Sequence, residues 1–160
     1  MIDARTKSAE DTRELGVAIA ALAAPGDVVL LAGDLGAGKT TFVQGFARGL
    51  DVQERVTSPT FVLMQHYRGR LPVVHVDVYR LDHVQEVIDL GVHELLDEGA
   101  VALIEWGDVV APALAPDFLE VRFEYGETDD DRRVGLRVAG PRWGRRQGPL
   151  KRAVERWCVA

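Results

Sequence analysis

Apolar positions along this chain recur with two different periods, and the switches between them lay out an alternation of helix and strand. Glu10 to Ala23 opens with acids, continues with apolar residues at helical spacing and meets Pro25-Gly26, which predicts a first helix. Asp27 to Ala32 is a short apolar run bounded by Pro25-Gly26 and Gly33, the pattern of a parallel strand buried on both faces. Phe42, Val43, Phe46, Ala47 and Leu50 then mark a second helix with one buried stripe. Phe61 to Tyr67 and Val73 to Tyr79 flank Arg68-Gly69-Arg70-Leu71-Pro72 and predict a hairpin. Val84 to Glu98 returns to helical spacing, interrupted at Gly91, and Val101 to Trp106 reads as another buried strand. Phe118 to Tyr125 and Arg133 to Val138 alternate, joined through Gly126 to Asp131, as a second antiparallel pair. The expected architecture is α/β: a single domain with a mixed parallel and antiparallel sheet flanked by helices.

Length agrees with that picture, since 160 residues hold one core of ordinary size. No apolar run is long enough to cross a bilayer, the start Met1 to Lys7 lacks the apolar centre of a signal peptide, and Cys158 has no second cysteine to pair with. A cytoplasmic protein is expected. Charge adds one division. Residues 141–160 carry six basic side chains (Arg142, Arg145, Arg146, Lys151, Arg152, Arg156) against Glu155, a net +5 that leaves −11 for the remainder of a chain whose total is −6. The domain is therefore read as 1–140, followed by a basic tail at 141–160 in which Leu150 to Trp157 suits a short helix. An acidic body argues against broad nucleic-acid binding.

The chemistry enters between the first strand and the second helix, where Gly33 to Thr40 reads G-D-L-G-A-G-K-T, a complete phosphate loop of the G-x-x-x-x-G-K-[ST] form. Gly33, Asp34, Leu35, Gly36, Ala37 and Gly38 supply a turn whose backbone N–H groups converge on phosphate oxygens. Lys39 adds a point charge for the terminal phosphates, and Thr40 a hydroxyl for Mg²⁺ at the positive end of a helix, with Thr41 following. The loop implies a nucleoside triphosphate. The chain contains no asparagine, so the N-K-x-D guanine reader is absent and ATP is the expected nucleotide.

Magnesium takes hard oxygen ligands, and two predicted strands end in a carboxylate: Val73-Val74-His75-Val76-Asp77 and Val101-Ala102-Leu103-Ile104-Glu105. One acid is expected to hold Mg²⁺ with Thr40 while the other orients that shell or the attacking water, and the spacing does not say which. Ser58, Pro59 and Thr60 form a stiff, hydroxyl-bearing loop suited to sensing a terminal phosphate. Trp106 reads as a core side chain, and His66, His75, His83 and His93 share no metal-ligand spacing and read as hydrogen-bonded structural residues.

Taken together, G-D-L-G-A-G-K-T-T at Gly33 to Thr41, S-P-T-F at Ser58 to Phe61, H-V-D-V-Y-R-L at His75 to Leu81 and I-E-W at Ile104 to Trp106 closely resemble the TsaE (YjeE) family of small bacterial ATPases of tRNA threonylcarbamoyladenosine biosynthesis. The resemblance runs from about Ser8 to Arg137 and leaves the segment after Pro141 uncovered. It implies an ATPase, weak alone, that acts with TsaB and TsaD proteins and touches tRNA only through them, without being the transferase. It further implies Thr40 and Glu105 as Mg²⁺ ligands, Lys39 as the phosphate contact, Asp77 as a catalytic or switch acid and Ser58 to Thr60 as a switch-like segment. Thr6 to Thr12 and Asp131 to Arg133 correspond to segments on the adenine side, which adds Lys7, Thr12 and Arg132 to the expected nucleotide contacts. The alternative is a small-molecule kinase built on the same loop, which needs an acceptor site and usually an arginine-bearing lid. Arg68 and Arg70 sit instead at a hairpin turn.

Overall fold

The computed structural model describes residues 1–34, 36–57, 64–77, 89–105 and 117–159. Seven strands form one sheet: β1 (Ile2–Thr6), β2 (Val28–Gly33), β3 (Met64–Arg68), β4 (Pro72–Asp77), β5 (Val101–Glu105), β6 (Phe118–Tyr125) and β7 (Arg132–Ala139), in the order β1-β7-β6-β2-β5-β4-β3. The four central strands β6, β2, β5 and β4 are parallel, and antiparallel pairs close both sides: β3 on β4, and β7 on β6 with β1 beyond it. The mixed sheet and both hairpins expected from the alternation are present, and β3 and β4 are described over Met64–Arg68 and Pro72–Asp77.

β2 and β5 read as unbroken apolar runs because both faces of the sheet are covered. Side chains at alternate positions point to opposite faces. Val29, Leu31, Val73, Val101 and Leu103 join the larger core, on the face packed by α1 (Ala9–Ala20) and α2 (Lys39–Gly49). Val28, Leu30, Val74, Val76, Ala102 and Ile104 form a smaller core on the other face with Val92 of α3 (Val92–Asp97).

Helix α1 starts where Ser8 Oγ accepts from the Asp11 backbone N–H at 3.0 Å, with Glu10 and Asp11 in the first turn. It ends at Ala20, short of the predicted Ala23, because the backbone tightens there: the Leu22 and Ala23 N–H groups bond Ile19 and Ala20 carbonyls, each three residues back. α2 crosses α1 closely, and a Cβ added at Gly45 would stand 1.9 Å from the Arg13 carbonyl oxygen. The predicted helix Val84 to Glu98 is described from residue 89, and Gly91, at φ 81°, precedes α3 where the sequence suggested an interruption.

One feature lies outside the sequence expectation, and a second extends the short helix expected at Leu150 to Trp157. β1 was not anticipated: its alternation of Ile2, Ala4 and Thr6 toward the core is only five residues long and becomes a strand by pairing with β7. Residues 141–159 form α4 (Pro141–Gly144), α5 (Gln147–Ala153) and a 3₁₀ turn (Glu155–Trp157), and Trp143, Leu150, Val154 and Trp157 are buried in the larger core. The Val159 N–H then bonds the Asp3 carbonyl on β1 at 3.0 Å. Burial of four such side chains contributes about 1.5–3 kcal/mol each. The segment expected as a tail from residue 141 is therefore part of the same packed body.

Candidate functional site

The carboxyl ends of the parallel strands bring the sequence-predicted groups together. β2 leads through the phosphate loop into α2, and β4 and β5 end at Asp77 and Glu105, which lie opposite each other in the ladder, with Leu31 of β2 opposite Glu105 on its other side. Both acids project on the face that carries Val101 and Leu103, the face covered by α2. This is the crevice where an open α/β sheet places ligands.

The loop's shape depends on glycine. Gly33, Gly36 and Gly38 have φ of 137°, 79° and 120°, and a Cβ at Gly33 would stand 2.6 Å from the Phe123 carbonyl oxygen. Gly38 is the N-cap of α2 and carries no side-chain cap, which leaves the first-turn N–H groups without a side-chain acceptor from the cap residue. Behind the loop, Phe123 packs edge-on against Phe42 with ring centroids 5.6 Å apart.

Lys39 is 4% exposed and its Nζ donates to the Gly33 carbonyl at 2.6 Å. Burial lowers its pKa, and the charges of Glu105, Asp77 and Asp34 act against that shift, which places the ammonium in the field of all three carboxylates. Glu105 is 4% exposed, and His75 Nε2 lies 2.6 Å from its Oε2. The hydrogen-bonded role expected for His75 thus has its partner at the predicted metal acid. The signal was in the spacing: His75 precedes Asp77 by two on one strand, so both share a face.

The oxygen donors Thr40, Asp77 and Glu105 suit Mg²⁺, whose shell takes one or two carboxylates and is completed by phosphate oxygens and water. Among the described residues no group of three or more His, Cys, Asp or Glu side chains could hold a metal ion by itself.

The expected adenine-side segments converge on the loop through one arginine. Arg132 Nε donates to the Ala37 carbonyl at 3.0 Å, its Nη1 donates to the Asp131 carbonyl at 2.8 Å, and the guanidinium lies 4.7 Å from the centre of the Tyr125 ring. Thr6 is the register partner of Arg132. Thr12 is buried: its hydroxyl donates to the Ser8 carbonyl at 3.2 Å and accepts from the Thr6 hydroxyl at 2.7 Å, which ties β1 to α1. Lys7 is exposed, and its backbone N–H donates to Asp11 Oδ2 at 3.0 Å. On the opposite side, Gln44 of α2 donates to the Val56 carbonyl at 3.2 Å, anchoring the approach to the switch-like stretch. Leu35, Ser58, Pro59, Thr60 and Trp106 lie outside the described residues.

Residues 6–134 match the family model described as "Threonylcarbamoyl adenosine biosynthesis protein TsaE". The chain belongs to the TsaE family. A TsaE relative, the tRNA threonylcarbamoyladenosine biosynthesis protein TsaE of Bacillus subtilis (strain 168), is 41% identical over 140 residues, 87% of each chain. The protein of the same name from Treponema pallidum (strain Nichols) is 47% identical over 109 residues, 68% of this chain and 81% of that one. The crystal structure of Bacillus subtilis YdiB superposes with a TM-score of 0.78 at 33% identity, covering 95% of this chain and 97% of that one. TsaE membership carries the expected fold with it, and among the described residues no helix is long and apolar enough to cross a membrane.

Proposed function

We propose that this protein is the ATP-binding and hydrolysing component of the tRNA threonylcarbamoyladenosine modification system, acting on a TsaB–TsaD partner complex and not as the transferase. One observation supports the reading above others: a glycine-built phosphate loop, a buried lysine and two strand-end carboxylates share one edge of the sheet, with Asp77 and Glu105 in register. The loop N–H groups and Lys39 bind and orient the triphosphate, and Thr40 with Glu105 hold Mg²⁺. Mg²⁺, once bound, neutralises charge on the β- and γ-phosphate oxygens. Asp77, half-buried at the tip of β4, orients the attacking water. Arg132 contributes by holding the loop through Ala37, and Lys7 and Thr12 belong to the segment beside the base. Ser58 to Thr60 sense the γ-phosphate. Hydrolysis of this kind asks little covalent chemistry of the protein, so turnover alone is slow and rises when partners complete the site. The cytoplasm, where tRNA is modified, is the proposed location.

The test is ATP turnover measured alone and with TsaB and TsaD proteins added, with threonylcarbamoyl-modified tRNA followed in parallel. Stimulation by the partners is expected. Unchanged turnover with partners, or phosphate transfer to a free metabolite, overturns the proposal, the latter in favour of a small-molecule kinase.

A further inference from the structure

Glu105 is held by a side chain that the phosphate-loop motif does not require. His75 and Glu105 are sealed from solvent, with side-chain exposures of 0% and 5%, and Nε2 stands 2.6 Å from Oε2. Two parallel strands enforce this meeting: His75 pairs with Leu103 in the ladder and Asp77 with Glu105, so the imidazole sits one pleat behind the two acids, on their face. An ionised carboxylate only accepts, which assigns the proton to Nε2 and a bare lone pair to Nδ1. That Nδ1 is buried and, among the described residues, has no hydrogen-bond partner. Either other protonation pattern leaves an N–H there, a buried donor facing no acceptor.

A buried acceptor left unsatisfied costs about 1–3 kcal/mol. The neighbouring core positions on β4 are Val73, Val74 and Val76, and a valine at position 75 removes that cost entirely. The imidazole is a poor choice for packing alone and a good one for fixing a carboxylate, since ligands to cations are commonly oriented by an outer hydrogen bond. We propose that His75 is a positioning residue: it pins Oε2 of Glu105 so that Oε1 turns to the cation carried by the nucleotide. The inference rests on the ATP reading above and deepens it by assigning the residue that orients the metal ligand.

The experiment uses the full chain loaded with a non-hydrolysable ATP analogue, with Mn²⁺ as the probe and its affinity read by electron paramagnetic resonance. His75→Val removes the donor, and His75→Gln returns an N–H near the place of Nε2. In EDTA both variants are expected to bind the analogue within about threefold of the parent, while His75→Val binds Mn²⁺ about 10- to 100-fold more weakly and His75→Gln recovers most of the loss. A parent-like Mn²⁺ affinity in His75→Val, or a His75→Gln no better than His75→Val, overturns the proposal. If either variant fails to fold, the parent decides: its imidazole ¹⁵N spectrum is expected to show a protonated Nε2 whose resonance moves when Mg²⁺ joins the nucleotide complex, and an unprotonated Nε2 or an unmoved resonance sinks the idea. Failure of the parent to take up nucleotide removes the ATP reading and this inference together. Uptake by the parent with no effect at position 75 removes only the inference.

Discussion

Asp27 and Glu105, two of the buried acids of this molecule, each lie near a cation in surroundings that differ in kind. Asp27, before β2, is fully covered and receives Arg146 on both oxygens, at 2.7 and 2.6 Å, with Arg142 Nε at 3.7 Å. Its Oδ2 also accepts the Ala24 N–H at 2.7 Å. Glu105, at the far end of the neighbouring strand, shares a short hydrogen bond with an imidazole, and Lys39 nearby donates to the Gly33 carbonyl. A carboxylate matched by a bidentate guanidinium is complete within the protein. At the carboxyl end, Lys39 and Glu105 lie buried at the mouth of a glycine-rich loop. The amino end of the sheet uses charge to seal the C-terminal segment against the body, and the carboxyl end is the one to which the proposed function assigns a ligand.

That contrast is open to attack from its strongest side first. Lys39→Ala is expected to lower ATP turnover about 100- to 1,000-fold with the fold intact, since removing one preorganised donor to developing charge has that order of effect. Turnover assays alongside thermal unfolding check this, and a wild-type rate refutes the division of labour. Asp27→Ala tests the other end: it leaves Arg146, whose side chain is 19% exposed, without its acid, and is expected to lower stability by about 3 kcal/mol, the low end for a broken buried pair. Urea denaturation measures that loss, and ATP affinity by calorimetry should stay unchanged.

The smallest effect concerns acid. Glu120 on β6 is pushed up by burial, but the hydrogen bonds and charge of Arg137, with help from Arg122, outweigh this and hold its carboxyl below the ordinary value. A lowered folded pKa contributes stability that is fully present above the unfolded value, about 4.3, and is lost as pH falls through the folded one. Arg137→Ala should therefore flatten the decline in urea midpoint below about pH 4, by less than about 1 kcal/mol because Arg137 is half exposed. An acid limb as steep as the parent's removes Glu120 as a contributor.

Much of this organisation was legible in the residues. Pro25-Gly26, the apolar run to Ala32 and the loop to Thr40 announce a strand, a phosphate cradle and a helix within fifteen or so positions, because each depends on neighbours in the chain. Asp77 and Glu105 stood out as acids closing apolar runs. β1 was hidden because five residues with three inward positions carry too little pattern, and its stability comes from β7, about 130 residues away. The role of the arginines after residue 141 was hidden for a related reason: a run of positive charge reads as solvated until its acids are known, and Arg146 finds Asp27 and Arg156 finds Glu14 across more than a hundred residues.

By itself, then, the chain determined most of its elements, its phosphate loop and the strand-end acids, since local spacing and backbone freedom settle those. Only the tertiary structure decided that Thr6, Arg132 and Ala37 meet, that Trp143 and Trp157 complete the core, and that His75 grips Glu105. Those contacts follow from the strand order β1-β7-β6-β2-β5-β4-β3, in which residues distant along the chain become neighbours through backbone pairing, and no local pattern specifies such an order.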